Sequence, residues 1–570
     1  MYTASTAFLE ALDEAGVSYI FANLGSDHPP LVEAFAEARA TGRRVPTLVT
    51  CPHEMVALSA AHGYAHATGR AQAVLVHVEC GTQSLAGAVH NAAKGRAPVL
   101  IFAGLSPFTQ EGELRGSRNE FIQWIQDVFD QRGLVRGYVK YENELRSGRN
   151  VKQIVHRALQ FAHSDPKGPV YLTGAREVLE EEVPPKPVDP RDFQPISPAA
   201  LPEQGLAELV ADLRAARRPV VVTSFLGRNP QAVEELVRLA GLHAVAVLES
   251  VPNCVNFPTD DPLYQGNQWN HPQQNPVLAA ADLVLVVDSD VPWIPTVSRP
   301  RDDATIYHID VDPLKQQMPL WYIAARRVFR ADAATALRQI ADRLAAAPGD
   351  PGAVAARRAH YAGLHAERDA TLRELETPPS GEITPEYAVA CLRRHVDHET
   401  IVLSESISNY HTVINHLGMT RPGSMLTSGG GSLGWHGGAA IGVKLAHPEK
   451  TVIACAGDGS YMFSVPSTVH WMARQYATPF LTLIFNNRGW KSPKLSALAV
   501  HPDGYASRAN EIGVSFDPPP DYAGIAAAAG GAFARVVRRP EEMEAALAAA
   551  MHAVKTERRC AVLDVWVPRL

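Results

Sequence analysis

Short, unbroken apolar runs that stop at small or turn residues recur along the whole chain, with helical stretches between them. "QAVLVHVEC" and "APVLIFAG" stand in the first third, "RPVVVTSFLG", "HAVAVLES" and "ADLVLVVDSD" in the second, and "ETIVLSES", "KTVIACAGDG" and "PFLTLIFNN" in the last. A strand that is apolar on both faces must be covered on both faces, so the pattern predicts parallel sheets lying between layers of helices. Two stretches interrupt it. The prolines of 181–198 exclude a helix or a central strand there and predict an extended linker. The segment 346–384 has Gly/Pro-rich ends around a charged helical stretch and reads as a second linker. The expectation is an α/β protein of three doubly wound domains, at 1–180, 199–345 and 385–570, each of ordinary domain size.

Composition removes several function classes. The net charge is −7, the pI is near 6.3 and no Lys/Arg block occurs, so no nucleic-acid partner is expected. No uninterrupted apolar run reaches the roughly 18 residues of a membrane span. The opening "MYTASTAFLEALDEAG" reads as an amphipathic helix and not as a leader. The six cysteines form no C-x-x-C pair, which predicts free thiols in a reducing, cytoplasmic setting.

In doubly wound sheets, ligands sit beyond the carboxyl ends of the strands. Polar residues that directly follow a strand are therefore the first candidates for chemistry. Asp458 is one, between Gly457 and Gly459 after "TVIACA"; Asn487 is another, after "FLTLIF". If these two strands are parallel neighbours, Asp458, the Asn487 amide oxygen and a loop carbonyl such as that of Gly489 can meet. Such a set of hard oxygens suits Mg2+, which takes its remaining ligands from water and phosphate. The glycines allow a phosphate to approach the backbone, and the helix after Ser460 adds N–H donors. The plainer alternative is a strand-to-helix turn with Asp458 as its cap.

GDG followed after about 26 residues by NN resembles the diphosphate and metal motif of the thiamine-diphosphate enzymes, the superfamily of acetolactate synthase, benzoylformate decarboxylase and pyruvate decarboxylase. The resemblance covers nearly the whole chain. It implies that the three domains bind the pyrimidine, form the middle, and bind the diphosphate. It also implies that Asp458, Asn487 and the Gly489 carbonyl hold Mg2+, with Gly457, Gly459 and Ser460 at the diphosphate. The family's glutamate, which shares a proton with the pyrimidine ring, matches Glu54 ahead of "AAHGYAHATG", a stretch similar to the family's "AADGYARATG". In "TSGGGSLGWHGGAAIG", Leu433 matches the apolar wedge under the cofactor and the Gly431 carbonyl matches the acceptor for its amino group. Glu405 is read as structural. In relatives the N-terminal domain of one subunit faces the C-terminal domain of another, which implies a homodimer or homotetramer with the active site at the interface.

The substrate side is less decided. Ser26 in "NLGSDHP" and His77 in "VHVECGT" match positions of benzoylformate decarboxylase-like members, and His28 lies beside Ser26. These three, with Glu54, are the catalytic candidates. A histidine at a strand end suits proton transfer, although a satisfied buried histidine is the equal alternative for His77. His411 is a weaker candidate. The paired histidines of pyruvate decarboxylases are missing, as is the middle-domain histidine of benzoylformate decarboxylases, and Pro493 stands where pyruvate decarboxylases have a glutamate. Lys491 and Lys494 either meet an acidic substrate or are solvated; Trp435 and Trp490 either line the cavity or fill the core. FAD is not expected, because the middle domain lacks the usual run after "VVDSD" and has no G-x-G-x-x-G. The resulting expectation is thiamine-diphosphate- and Mg2+-dependent decarboxylation of a small-molecule 2-oxo acid, with ligation of the remainder to a carbonyl acceptor. A non-ligating decarboxylase is the alternative, as is an acyl-CoA lyase or oxidase of the same fold.

Overall fold

The computed structural model describes residues 1–269, 272–379, 381–509 and 513–569. Its frame is three six-stranded sheets, all parallel. The first holds β1 (Tyr19–Ala22), β2 (Thr47–Thr50), β3 (Gln72–Val76), β4 (Val99–Leu105), β5 (Tyr141–Leu145) and β6 (Pro169–Ala175), in the order β2-β1-β3-β4-β6-β5. The second holds β7 (Pro219–Thr223), β8 (Ala246–Glu249), β9 (Tyr264–Asn267), β10 (Leu283–Val287), β11 (Thr305–Asp310) and β12 (Arg327–Arg330), in the order β12-β11-β10-β7-β8-β9. The third holds β13 (Thr400–Glu405), β14 (Met425–Leu426), β15 (Thr451–Gly457), β16 (Leu481–Asn486), β17 (Phe533–Val537) and β18 (Ala561–Trp566), in the order β14-β13-β15-β16-β18-β17. Counted from its own first strand, the third sheet repeats the order of the first. The middle sheet has the other doubly wound order, with its reversal between β7 and β10.

The central strands β3, β4, β10, β15 and β16 are apolar because both faces are covered: Val74, Leu75, Ile101, Val286, Ile453 and Leu483 are fully buried. The segment 181–198 contains only a short 3-10 turn, Pro190–Phe193. The stretch 346–384 is mostly one helix, Pro351–Leu375, lying against the middle sheet: Tyr361 is buried there and Arg357 donates to the His243 carbonyl at 2.7 Å. Among the described residues, no helix is long and apolar enough to cross a membrane.

The first and third sheets share a core through two helices, Glu54–Thr68 and Trp435–Ala446. These helices touch backbone to backbone. A Cβ on Gly63 would lie 2.4 Å from the Ala439 carbonyl oxygen, one on Gly438 2.7 Å from that of Val56, and one on Gly442 1.9 Å from that of Ala60. Small residues at these points permit the approach, and the packing holds the start of one helix (Glu54) and the start of the other (Trp435) in a fixed relation.

Gly442→Ala is expected to force this pair apart and lower stability by about 1–3 kcal/mol, the usual cost of overpacking. Gly363→Ala, in a helix where a Cβ meets nothing within 4 Å, is expected to raise stability by about 0.5–1 kcal/mol through helix propensity. Thermal or denaturant unfolding of both variants reads the contrast, and equal responses would count against the close helix contact.

Candidate active site

Two clusters of polar residues stand at the carboxyl ends of the first and third sheets. In the third, β15 and β16 are parallel neighbours, with Ala456 opposite Ile484 and Gly457 opposite Phe485. That pairing brings Asp458 and Asn487 together. Asp458 is buried; its Oδ1 accepts the Gly459 N–H at 2.8 Å and its Oδ2 the Gly489 N–H at 3.0 Å. The Asn487 Oδ1 accepts the same Gly489 N–H at 3.2 Å. Burial pushes the Asp458 carboxyl up to about 6, against the backbone N–H groups that lower it. No ion pair to Asp458 occurs among the described residues, so this buried carboxylate is held by neutral hydrogen-bond donors only.

That cavity has a volume of about 350 Å3. Gly431, Leu433, Gly457, Asp458, Gly459, Ser460, Asn487 and Gly489 all border it. A Cβ on Gly431 would meet nothing within 4 Å, and one on Gly457 would meet only the Ser460 hydroxyl at 4.0 Å; both glycines thus border open space. On Gly459, by contrast, a Cβ would lie 2.2 Å from the Trp490 ring, so that glycine is what lets Trp490 lie against the turn. The helix that starts at Asp458 is only six residues long, Asp458–Phe463. The glycine loop is pinned from the first domain: Asn91 donates to the Ser432 carbonyl at 2.7 Å and accepts the Ser432 N–H at 3.0 Å. It is pinned from below by Glu405, which accepts the His436 N–H at 2.8 Å and pairs with the His436 ring.

At the first sheet, Glu54 opens its helix and is nearly buried. Its Oε1 accepts from the Asn23 amide at 2.8 Å and borders Gly81. His77 closes β3. Its Nδ1 is 2.5 Å from Asp27 Oδ1 and its Nε2 3.0 Å from Gln126 Oε1. The hydrogen bond to Asp27 raises the His77 pKa, against burial. Ser26 lies in the same loop as Asp27; its carbonyl accepts from Arg176 at 3.1 Å, while its hydroxyl is buried without a partner. His28 is fully buried, with Nδ1 accepting the Gly25 N–H at 3.0 Å. It faces the interior, and its Nε2 is buried without a hydrogen-bond partner among the described residues.

The other open alternatives resolve as follows. Trp435 is core, packed near His62 and His66, whereas Trp490 borders the cavity, as does Lys491. Lys494 does not. His411 sits instead with Asn267 and Asn415 on a separate cavity between the middle and third sheets. Four residues were missed in the sequence: Asn23, Asp27 and Gln126 around Glu54 and His77, and Trp269. The last comes from the middle domain, borders the Asp458 cavity and stacks on Tyr410 with ring centroids 4.0 Å apart. Asn23 alone had a local signal, as a polar residue directly after β1.

Within one chain the two clusters do not form one cavity. None of the residues bordering the Asp458 cavity precedes Trp269. His77 and Asn91, which holds the glycine loop, stand fourteen residues apart along one helix, about 21 Å at 1.5 Å per residue.

Residues 2–134 match the model described as "Thiamine pyrophosphate enzyme, N-terminal TPP binding domain", 206–340 the central domain and 407–565 the C-terminal TPP binding domain. The chain is 27% identical to a benzoylformate decarboxylase of Pseudomonas aeruginosa, over 85% of this chain and 86% of that one. It is 25% identical to a sulfoacetaldehyde acetyltransferase of Rhodobacter capsulatus, over 96% and 92%. A solved structure, a thiamine diphosphate-dependent 4-hydroxybenzoylformate decarboxylase of Rhodococcus jostii RHA1, shares the fold with a TM-score of 0.78 at 22% identity, over 100% of this chain and 99% of that one.

Gly459→Ala is expected to displace Trp490 and, with the overpacking cost of about 1–3 kcal/mol falling on the bound state, to weaken thiamine diphosphate binding by about fivefold or more. Quenching of tryptophan fluorescence on titration with the cofactor measures it; unchanged affinity would mean that Trp490 yields freely.

Proposed function

The chain belongs to the thiamine pyrophosphate enzymes, and we propose that it decarboxylates a 2-oxo acid in an active site completed by a second copy of itself. The observation that carries this reading is the convergence of Asp458 and Asn487 on Gly489 at the floor of a cavity bordered by open glycines. A buried carboxylate without a cationic partner, beside an amide oxygen, fits a hard divalent ion. Asp458, Asn487 and the Gly489 carbonyl would hold Mg2+. Gly457, Gly459 and Ser460 would face the diphosphate, Leu433 would support the cofactor rings, and the Gly431 carbonyl would accept from the amino group. Thiamine diphosphate, when bound, supplies an electron sink for the charge left as CO2 departs.

The chain's own residues supply the rest. Glu54 holds and returns a proton in a poorly solvated place, with Asn23 fixing its Oε1. Ser26 has a hydroxyl free to donate to a substrate carboxylate. His77 carries a proton on Nε2 and is the group placed to deliver it. That donor favours protonation of the remaining fragment and release of an aldehyde, which supports the non-ligating alternative. Ligation to a carbonyl acceptor, the outcome expected from the sequence, is the second reading, supported by the similarity to the acetyltransferase and to a probable acetolactate synthase large subunit of Methanocaldococcus jannaschii, 24% identical over 85% of this chain and 80% of that one. FAD remains not expected. At the carboxyl end of the middle sheet, ion pairs span the crevice: Arg96 with Asp290 at 2.7 Å and Asp310 at 3.2 Å, and Lys315 with the same two at 2.7 and 2.6 Å.

The second copy is supported by the separation of the two clusters and by exposed apolar side chains next to Gln126. Phe121, Trp124, Ile125 and Phe129 are 75%, 47%, 70% and 113% exposed, an apolar strip of the kind that marks an interface.

A screen of 2-oxo acids with thiamine diphosphate and Mg2+, reading CO2, aldehyde and coupled product, tests the reaction. Glu54→Gln is expected to reduce CO2 release by about 10²–10⁴-fold, as for loss of a general acid–base; a variant as active as the parent would remove Glu54 from this role.

Mixing Glu54→Gln with Asp458→Asn chains, each inactive alone, is expected to restore about a quarter of the activity, because half of randomly exchanged C2 dimers are mixed and each carries one intact site. No recovery after confirmed exchange would place both residues in one chain's site.

A further inference from the structure

The first sheet reverses its winding between β1 and β3. Asp27 follows β1 and His77 closes β3, so the topology brings these two to the switch point. Asp27 is 2% exposed, while the His77 side chain keeps 20%. The two Asp27 oxygens are both used: Oδ1 lies 2.5 Å from His77 Nδ1, and Oδ2 accepts the Val78 N–H at 3.1 Å. Space for the pair is made by two glycines on different elements. A Cβ on Gly25 would lie 2.1 Å from His77 Nδ1, and one on Gly104 would lie 1.9 Å from Asp27 Oδ2.

The protonation state follows from the partners. Gln126 donates its amide to Cys80 Sγ at 3.3 Å, which turns its Oε1 toward His77 Nε2. An amide oxygen only accepts, so Nε2 carries a hydrogen. A carboxylate only accepts, so Nδ1 carries one as well. His28, 3.2 Å from Asp27, also favours that carboxylate by its field, but its own pKa is lowered by burial and its Nδ1 accepts from Gly25, so the hydrogen-bonded partner of Asp27 is His77. The other groups facing His77 are Glu54, whose charge also favours the imidazolium, and the Cys80 thiol, whose pKa is raised by Glu79.

We propose that Asp27 is a positioning residue for the reaction proposed above: it grips His77 by Nδ1, keeps the ring doubly protonated, and leaves Nε2–H, held only by the exchangeable contact to Gln126, as the proton donor of the site. The inference rests on that reading of the function. In the step itself the bond between the substrate's carboxylate and carbonyl carbons breaks and CO2 leaves. The carbon that keeps the electron pair takes the Nε2 proton, and solvent reprotonates His77 through its exposed edge. One proton is consumed for each aldehyde formed.

The experiment has a readout that does not depend on turnover. In protein labelled at histidine, the His77 ring signals are assigned by their loss in His77→Gln and followed by NMR against pH. In the parent, His77 is expected to titrate above the ordinary value of about 6.5. In Asp27→Asn, which keeps size and shape, the midpoint is expected to fall by about one unit or more. Gly104→Ala, which crowds the carboxylate from the other side, is expected to move it the same way, and serves if Asp27→Asn does not fold. The high-pH limb of kcat/KM is expected to shift down with the midpoint while thiamine diphosphate affinity stays unchanged. An equal His77 midpoint in parent and variants overturns the proposal, as does a uniform loss of activity with an unmoved pH limb. If the midpoint shifts as expected and no 2-oxo acid yields CO2, the functional reading fails and the positioning role stands.

Discussion

The contact on which the rest depends is the crossing of the helices Glu54–Thr68 and Trp435–Ala446. It joins the cores of the first and third sheets, and it does so through backbone, with glycines at 63, 438 and 442 removing the side chains that would hold the helices apart. Each helix begins at a functional loop. Glu54 is the first residue of one, and the glycine loop that supplies Gly431 and Leu433 leads into the other. A side chain at the crossing would therefore disturb both loops at once. Glu405 reinforces the joint from within the third sheet: buried at the end of β13, it accepts from backbone and ring groups at the start of the second helix, a favourable place for a carboxylate.

The repeated strand order of the first and third sheets gives the site its logic. In both, the winding reverses between the first and third strands, and in both polar residues follow those strands. Asp27 and His77 stand there in the first sheet; Ser406 and Asp458 stand there in the third. One topology is used twice with different side chains; in the function proposed above, one set would handle protons and the other would offer oxygen ligands. The middle sheet winds differently, and the charges at its carboxyl end are paired with Arg96 from the first domain and with Lys315. Its direct contribution to the cavity is an aromatic surface, Trp269 on Tyr410.

What could be read from the chain follows the range of the interactions. Central strands such as β15 and β16 are legible because burial on both faces leaves an unbroken apolar run, and Asp458 with Asn487 is legible because parallel neighbours bring their ends together. Edge strands are not: β5 reads "YENEL" and β17 "FARVV", polar or mixed because one side is open. Among the candidate residues, the loop after β1 shows the limit most clearly. Ser26, Asp27 and His28 are adjacent polar residues with no local mark to rank them. Only the fold shows that Asp27 meets His77, fifty residues on, and that His28 turns inward. Trp435 and Trp490 were likewise indistinguishable, since an indole in a core and one against a cavity have the same sequence signature.

Asp27 and Asp458 answer one physical problem in opposite ways. Both are carboxylates taken out of water at the end of a sheet, where an unpaired charge is costly. Asp27 is balanced from inside the protein, and its pKa falls: burial works to raise it, but the fields of His28 and His77 and the hydrogen bond from His77 prevail. Asp458 receives only backbone N–H groups, and burial pushes it up to about 6. A site that needed only a buried polar cap could have used asparagine there. A carboxylate held by neutral donors beside a second oxygen, in a cavity with glycine walls, is suited to a cation that arrives with its ligand. The protein thus holds one carboxylate whose charge it balances itself and one that it surrounds with neutral donors alone.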